Sequence, residues 1–169
     1  MIRGATEADA PVIADIQART WRWAYSDFIA DDDMPVAAER VPAWREHIAG
    51  GGVRVFDQGG TVVGYSAVQD DELESLYVDP AAQGAGVGGR LLAEAEERMR
   101  AAGHERAWLY LYADNAHGCA FYERHGWVAV GGLVGEAHWR APGRRYEREL
   151  PPPAPAPGAE PPGGETPRA

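Results

Sequence analysis

Lysine is absent from the sequence: all 16 basic residues are arginine. A nucleotide P-loop, which needs a lysine after its last glycine to reach the outer phosphates, is thereby excluded. Cysteine occurs once, as Cys119, so no internal disulfide can form, and neither a cysteine zinc cluster nor any other metal site is expected. No run of 18 apolar residues occurs, and the opening MIRGATEADA has neither a basic start nor an apolar stretch. No membrane span or secretory signal is therefore expected, and the cytoplasm is the expected compartment. Positive charge is in deficit, with a formal net charge of -10. Residues 151–169 contribute -1 of it (Glu160 and Glu165 against Arg168), leaving -9 on the rest. Such a balance disfavours nucleic acid as a partner and weakly favours cationic ligands.

What is present is enough for one domain. The chain has 169 residues, 45% of them hydrophobic, which supports a single core over 1–150 and is too little for a two-domain dehydrogenase. The segment 151–169, PPPAPAPGAEPPGGETPRA, holds no aliphatic side chain larger than alanine and reads as a disordered tail.

Apolar periodicity predicts a strand at 2–5, then a helix capped near Asp9 with Pro11 in its first turn and Val12, Ile13, Ile16 and Ala24 at helical spacing. A second helix opens at Pro35, buries Val41, Trp44 and Ile48, and ends at the glycines 50–52. Three strand-like runs at 53–56, 61–68 and 73–78, joined by short turns, predict an antiparallel meander. A helix carrying Leu91, Leu92, Ala95 and Met99 follows, then a buried strand at 106–114, a short helix closed by Gly126, and final strands to Leu150. The order βααβββαβαββ places the chain in the α/β (α+β) class: a mixed sheet with helices on both faces and one parallel crossover.

The chemistry concentrates at QGAGVGGRLL, 83–92, where Gly84, Gly86 and Gly89 form a G-x-G-x-x-G. Glycine turns that open a helix hold pyrophosphate through backbone N–H groups, whichever molecule carries it. A dinucleotide reading would use Asp114 on the ribose. Against it, DPAAQ separates Val78 from Gly84, whereas a Rossmann strand runs almost directly into its first glycine, and the unit lies in mid-chain behind a meander.

LYVDPAAQGAGVGGRLL resembles instead the cofactor signature of the GCN5-related N-acetyltransferases, Q/R-x-x-G-x-G/A, with Gln83, Gly86 and Gly88 on its defined positions. NAHGCAFYERHGW matches the same family's N-x-x-A-x-x-F-Y-x-x-x-G-F at Asn115, Phe121, Tyr122 and Gly126, with Trp127 for the last aromatic. Gly118 stands where that family usually has alanine, and Cys119 where a basic residue often appears. The resemblance covers 1–150. It implies a mostly antiparallel sheet of six to seven strands with helices on both faces and a central β-α-β cofactor unit.

It also implies transfer of acetyl from acetyl-CoA to a primary amine by direct attack in a ternary complex. In such a site Leu76, Tyr77 and Val78, on a bulged strand, serve the thioester oxygen through a backbone N–H. Gln83, Gly84, Ala85, Gly86, Val87, Gly88, Gly89 and Arg90 hold the diphosphate, Arg90 being equally readable as a solvated surface cation. Asn115 either bonds the cofactor arm or caps its helix. Tyr122 is the candidate general acid for the departing thiolate. Glu72 is the first candidate for the base that takes the ammonium proton, and Glu74 the second, unless DDELE is only a solvated acidic turn. Trp21, Trp23 and Tyr25 in TWRWAYSDF border the acceptor or merely pack, and Cys119 reads as a small buried residue. The acceptor is a small-molecule amine or a peptide or protein amine, with neither nucleic acid nor membrane as partner, on a monomer or homodimer. Two rival readings are a non-catalytic acyl-CoA-binding module and an NAD-binding protein.

Overall fold

Residues 1–135 and 141–152 are described in a computed structural model of the protein. The expected tail, 151–169, lies outside them apart from Pro151 and Pro152. Chain order runs β1 (Ile2–Gly4), α1 (Ala10–Tyr25), α2 (Ala37–Ala49), β2 (Val53–Gln58), β3 (Thr61–Gln69), β4 (Glu72–Val78), α3 (Val87–Ala101), β5 (Arg106–Tyr112), α4 (Ala116–Arg124), β6 (Val128–Val134) and β7 (Gly143–Glu149). This is the expected βααβββαβαββ order, with three single-turn 3-10 helices added. Among the described residues the strands form one sheet in the order β1-β2-β3-β4-β5-β7-β6. All its pairs are antiparallel except β4 with β5, which α3 joins as a parallel crossover.

Both faces of the sheet are covered. Ile13 and Ile16 of α1 and Trp44 and Ile48 of α2 pack on Val53, Val55, Tyr65 and Ala67. On the opposite face Leu92, Ala95 and Met99 of α3 and Tyr122 of α4 pack with Leu73, Leu109, Trp127 and Tyr146. Burying one such aliphatic side chain contributes roughly 1.5–3 kcal/mol, so the apolar stripes read from the sequence are what hold the helices to the sheet. No helix among the described residues is long and apolar enough to cross a membrane.

Strand ends shift by one or two residues from expectation, and two of the differing boundaries have a local cause. The second helix begins at Ala37, because Met34, preceding Pro35, and Val36 are both extended; a residue before proline is pushed out of the helical region. β5 ends at Tyr112, and the backbone turns there: Asn115 N donates to Tyr112 O at 3.0 Å.

The feature that positions the site is the pairing of β4. Its register against β3 passes from Ala67↔Ser75 to Val68↔Leu73, which leaves Glu74 as the extra residue of a β-bulge. The resemblance implies a bulged strand with a backbone N–H near Leu76–Val78 serving the thioester; the bulge lies before these residues, near the start of the strand. β4 and β5 share one bridge pair, Glu72 opposite Trp108, and part beyond it. Main-chain groups of β4 that turn toward β5 past this point have no ladder partner, as at a sheet edge.

Candidate active site

A cleft of about 390 Å³ occupies the gap between the parted strands. β4 forms one wall from Leu73 to Val78, the glycine loop closes one end, and α4 and the end of α1 flank it. Gly84 and Gly86 adopt φ of 79° and 76°, a left-handed conformation that side-chain-bearing residues pay about 1–2 kcal/mol to enter. Gly86 is the N-cap of α3, so this turn leaves the helix's first N–H groups facing the cleft. Gly88 and Gly89 serve a different purpose. A Cβ at Gly88 would lie 3.3 Å from the Phe121 ring, and one at Gly89 would lie 3.1 Å from His125 Nε2. These glycines let α3 and α4 approach each other, which ties the two sequence motifs into one structure.

The remaining loop residues divide. Gln83 lines the cleft but turns its amide back to donate to Val78 O at 3.3 Å. Ala85 and Arg90 are not among the lining residues. The Arg90 guanidinium lies over the Phe56 ring, 4.7 Å from its centroid. The basic side chains that do line the cleft are His117, Arg124 and His125. His125 Nδ1 sits 2.8 Å from Phe121 O; a carbonyl only accepts, so Nδ1 carries the proton and Nε2 faces the first turn of α3.

Asn115 is buried and lines the cleft. Its Oδ1 accepts from Gly118 N at 2.9 Å, capping α4, and its Nδ2 lies 3.5 Å from Tyr25 OH. A Cβ at residue 118 would lie 2.7 Å from that Nδ2. The departure from alanine at Gly118 therefore gives Asn115 room to fold over the helix start.

Tyr122 is 7% exposed, its ring packed near Phe121, Trp127 and Tyr146. Burial holds its hydroxyl well above the ordinary phenol range, with the neighbouring Tyr77 adding to the effect. The hydroxyl stays protonated at neutral pH. Tyr122 lines the cleft, and its hydroxyl is a proton donor with no hydrogen-bond partner among the described residues.

The aromatic segment splits between its two expected roles. Trp21 Nε1 donates to Tyr77 OH at 2.9 Å, and Trp21, Tyr25, Phe28 and Tyr112 form an edge-to-face cluster. Burial pushes the Tyr25 and Tyr77 hydroxyls up. These residues pack. Trp23 is 47% exposed, lines the cleft and meets the His117 ring at 4.9 Å. Thr20, one turn earlier, donates to Val78 O at 3.2 Å and fixes α1 to the end of β4.

The two candidate carboxylates change places. Glu72 is not among the lining residues of the cleft, whereas Glu74 is. Burial raises the Glu72 carboxyl, and the charges of Glu74 and Asp71 raise it further while Arg145 opposes them. Glu74, on the bulge, places Oε2 2.7 Å from His47 Nε2 at the end of α2. His47, Arg124 and His125 were missed from sequence. The usable signal was weak: His47 flanks the buried stripe at Trp44 and Ile48, and Arg124 and His125 lie inside the second motif. Cys119 is half-buried, with Sγ 3.9 Å from Ala113 O.

Coenzyme A fits these residues: left-handed glycines leave open space above a helix N-terminus, and the cleft continues along an unpaired strand edge. Comparison with known proteins agrees. Residues 13–127 match the model of the acetyltransferase (GNAT) family. N-alpha-acetyltransferase RimI of Mycobacterium tuberculosis is 32% identical over 138 residues, covering 77% of this chain and 79% of that protein. A ribosomal-protein-alanine N-acetyltransferase from Brucella melitensis superposes with a TM-score of 0.71 at 26% identity, over 89% of this chain and 99% of its own. A putative acetyltransferase, yncA, from Salmonella typhimurium, solved with acetyl-CoA, gives 0.69 at 25% identity over 94% and 98%. With its motifs, its sheet and these relatives in agreement, the chain belongs to the GNAT acetyltransferase family.

Proposed function

We propose that the protein transfers the acetyl group of acetyl-CoA to a primary amine by direct attack, and that the acceptor is the α-amino group of a peptide or protein. The observation that carries the proposal is the unpartnered, protonated Tyr122 hydroxyl in the same cleft as the glycine loop and the free edge of β4. The names of two relatives, an N-alpha-acetyltransferase and a ribosomal-protein-alanine N-acetyltransferase, support this acceptor class.

Acetyl-CoA supplies an activated thioester when bound. The first turn of α3 receives the diphosphate, with Arg124 adding positive charge and the His125 ring standing beside it. The edge of β4 takes the arm as an added strand, and a backbone N–H at Leu76, Tyr77 or Val78 meets the thioester oxygen as negative charge grows on it. Tyr122 gives its proton to the sulfur as the C–S bond breaks. Glu74 takes the first proton from the incoming ammonium, and Glu72 adds negative potential from just outside the cleft. A peptide α-amine, with a pKa of about 7.7–8.0, asks less of this base than a lysine at about 10.4. As the C–N bond forms and the C–S bond breaks, nitrogen gives up two protons: Glu74 takes the first, and the second restores the proton that Tyr122 passed to sulfur. One proton per turnover leaves for solvent.

The test is a panel of acceptors followed by release of free thiol and by mass of the product: peptides with free N-termini, the same peptides N-terminally blocked but containing lysine, and spermidine. Acetylation of the free N-termini at the α-nitrogen is the expected result. Turnover of spermidine or lysine alone would contradict the acceptor class. No turnover, with acetyl-CoA still raising the melting temperature, would make the protein an acyl-CoA binder.

A further inference from the structure

We propose that His47 relays the proton taken up by Glu74 to solvent, which makes it a positioning and proton-passing residue for the reaction; this rests on the acetyl-transfer reading above. Glu74 is the one residue that lines both the cleft and a second, shallower depression of about 720 Å³ on its outer side. That depression is walled by the end of α2, the turn at Gly50–Gly52 and the end of α3. Glu74 therefore stands between the reaction space and an open one, and on the outer side its carboxylate meets an imidazole at 2.7 Å.

The local structure holds that contact in place. The bulge leaves Glu74, between Leu73 and Ser75, with no residue opposite it on the partner strand, and this takes it out of the regular ladder. His47 follows Trp44 by three residues on α2, and its ring lies 5.5 Å from the Trp44 ring. Trp44 is buried and donates to Gln17 Oε1 at 3.0 Å. The imidazole is thus braced from one side while its side chain remains 46% exposed.

The charges around the pair are Glu46 on α2, Asp70 on the β3–β4 turn, Glu72 on β4, and Arg98 and His104 near the end of α3. Arg98 is committed elsewhere, with both terminal nitrogens 3.1 Å from Gly52 O. Among the described groups here, His47 is the one placed to receive a proton from Glu74. Imidazole accepts a proton on one ring nitrogen and releases one from the other, so the step balances without a further reactant. A carboxylate that had to hold its proton until the acetylated product left would slow the next turnover.

The experiment compares His47→Ala and His47→Gln with the wild-type chain, using acetyl-CoA and a peptide that the wild type acetylates. We expect kcat to fall about tenfold in both variants, less than the roughly 10²–10⁴-fold of a group that acts directly on the reacting atoms because His47 acts through Glu74, with KM for acetyl-CoA unchanged within twofold. Free imidazole in the buffer should restore most of the His47→Ala loss and leave His47→Gln unaffected, since glutamine fills the space without carrying a proton. Full activity in both variants would overturn the relay. So would a loss confined to KM, or one that His47→Gln corrects and imidazole does not, since either marks a purely structural contact. Failure of the underlying reading looks different: the wild-type chain itself would acetylate no peptide.

Discussion

Replacing Tyr122 with phenylalanine separates chemistry from structure more sharply than any other change to the cleft. The ring keeps its contacts with Phe121, Trp127 and Tyr146, at centroid distances of 5.1, 5.8 and 6.4 Å. The hydroxyl that is lost makes no hydrogen bond among the described residues and faces the cleft, so no buried partner is orphaned. The stability change should therefore stay within about 0.5 kcal/mol, or about 1–2 °C in melting temperature for a chain of this size. The rate should behave otherwise. A general acid contributes about 10²–10⁴-fold, equivalent to about 2.7–5.4 kcal/mol of barrier at 1.36 kcal/mol per tenfold. Thiol release at saturating substrates reads kcat, calorimetry reads acetyl-CoA affinity, and thermal denaturation reads the fold. We expect kcat to drop at least a hundredfold while affinity changes less than threefold. A variant that keeps more than a third of wild-type kcat would refute the role. Equal losses of affinity, stability and rate would show that the tyrosine is only core.

Gly86→Ala places a side chain at φ 76°, with open space around its Cβ. The cost is then one of backbone conformation, about 1–2 kcal/mol, seen as a lower melting temperature, and coenzyme A affinity should fall with it; an unchanged melting curve would refute the strained turn. Glu74→Gln should lower kcat/KM for the amine by at least tenfold and Glu72→Gln by less, because only Glu74 lines the cleft; the reverse order would return the base to Glu72. Asp9 is a structural test far from the chemistry. Hydrogen bonds from Arg3, at 2.8 and 3.0 Å, outweigh burial and hold its carboxyl down at about 2. A depressed carboxylate contributes stability above its unfolded pKa and loses it as pH falls through the folded one. Asp9→Asn should therefore cost about 1–2 kcal/mol at pH 7, discounted for the partly exposed arginine. The gap between the urea midpoints of the two proteins should narrow steadily from about pH 4 toward pH 2, and a gap at pH 2 as wide as that at pH 7 would refute the pairing.

How much of this was readable in sequence follows from where each constraint acts. The two motifs were legible because backbone geometry demands their residues locally: left-handed turns at Gly84 and Gly86, and close helix approach at Gly88 and Gly89. The alternating and helical apolar patterns likewise name the two core layers. The position of the bulge was not legible because it depends on how β3 and β4 align, and alternation within β4 alone does not encode it. That shift moves Glu74 into the cleft lining in place of Glu72. Arg90 pairs with Phe56, a residue 34 positions earlier, and His47 with Glu74, 27 positions later. No local pattern announces either contact. Gly118, where the family usually has alanine, makes room for the Asn115 cap, a contact that the motif alone does not announce.

The central claim is that the glycine turn and the parted strands hold coenzyme A. Calorimetric titration of acetyl-CoA into the full chain, with NAD titrated in parallel, tests it most directly. The account predicts saturable binding of acetyl-CoA at one site per chain and no heat from NAD beyond dilution. Saturable binding of NAD with none of acetyl-CoA would contradict it.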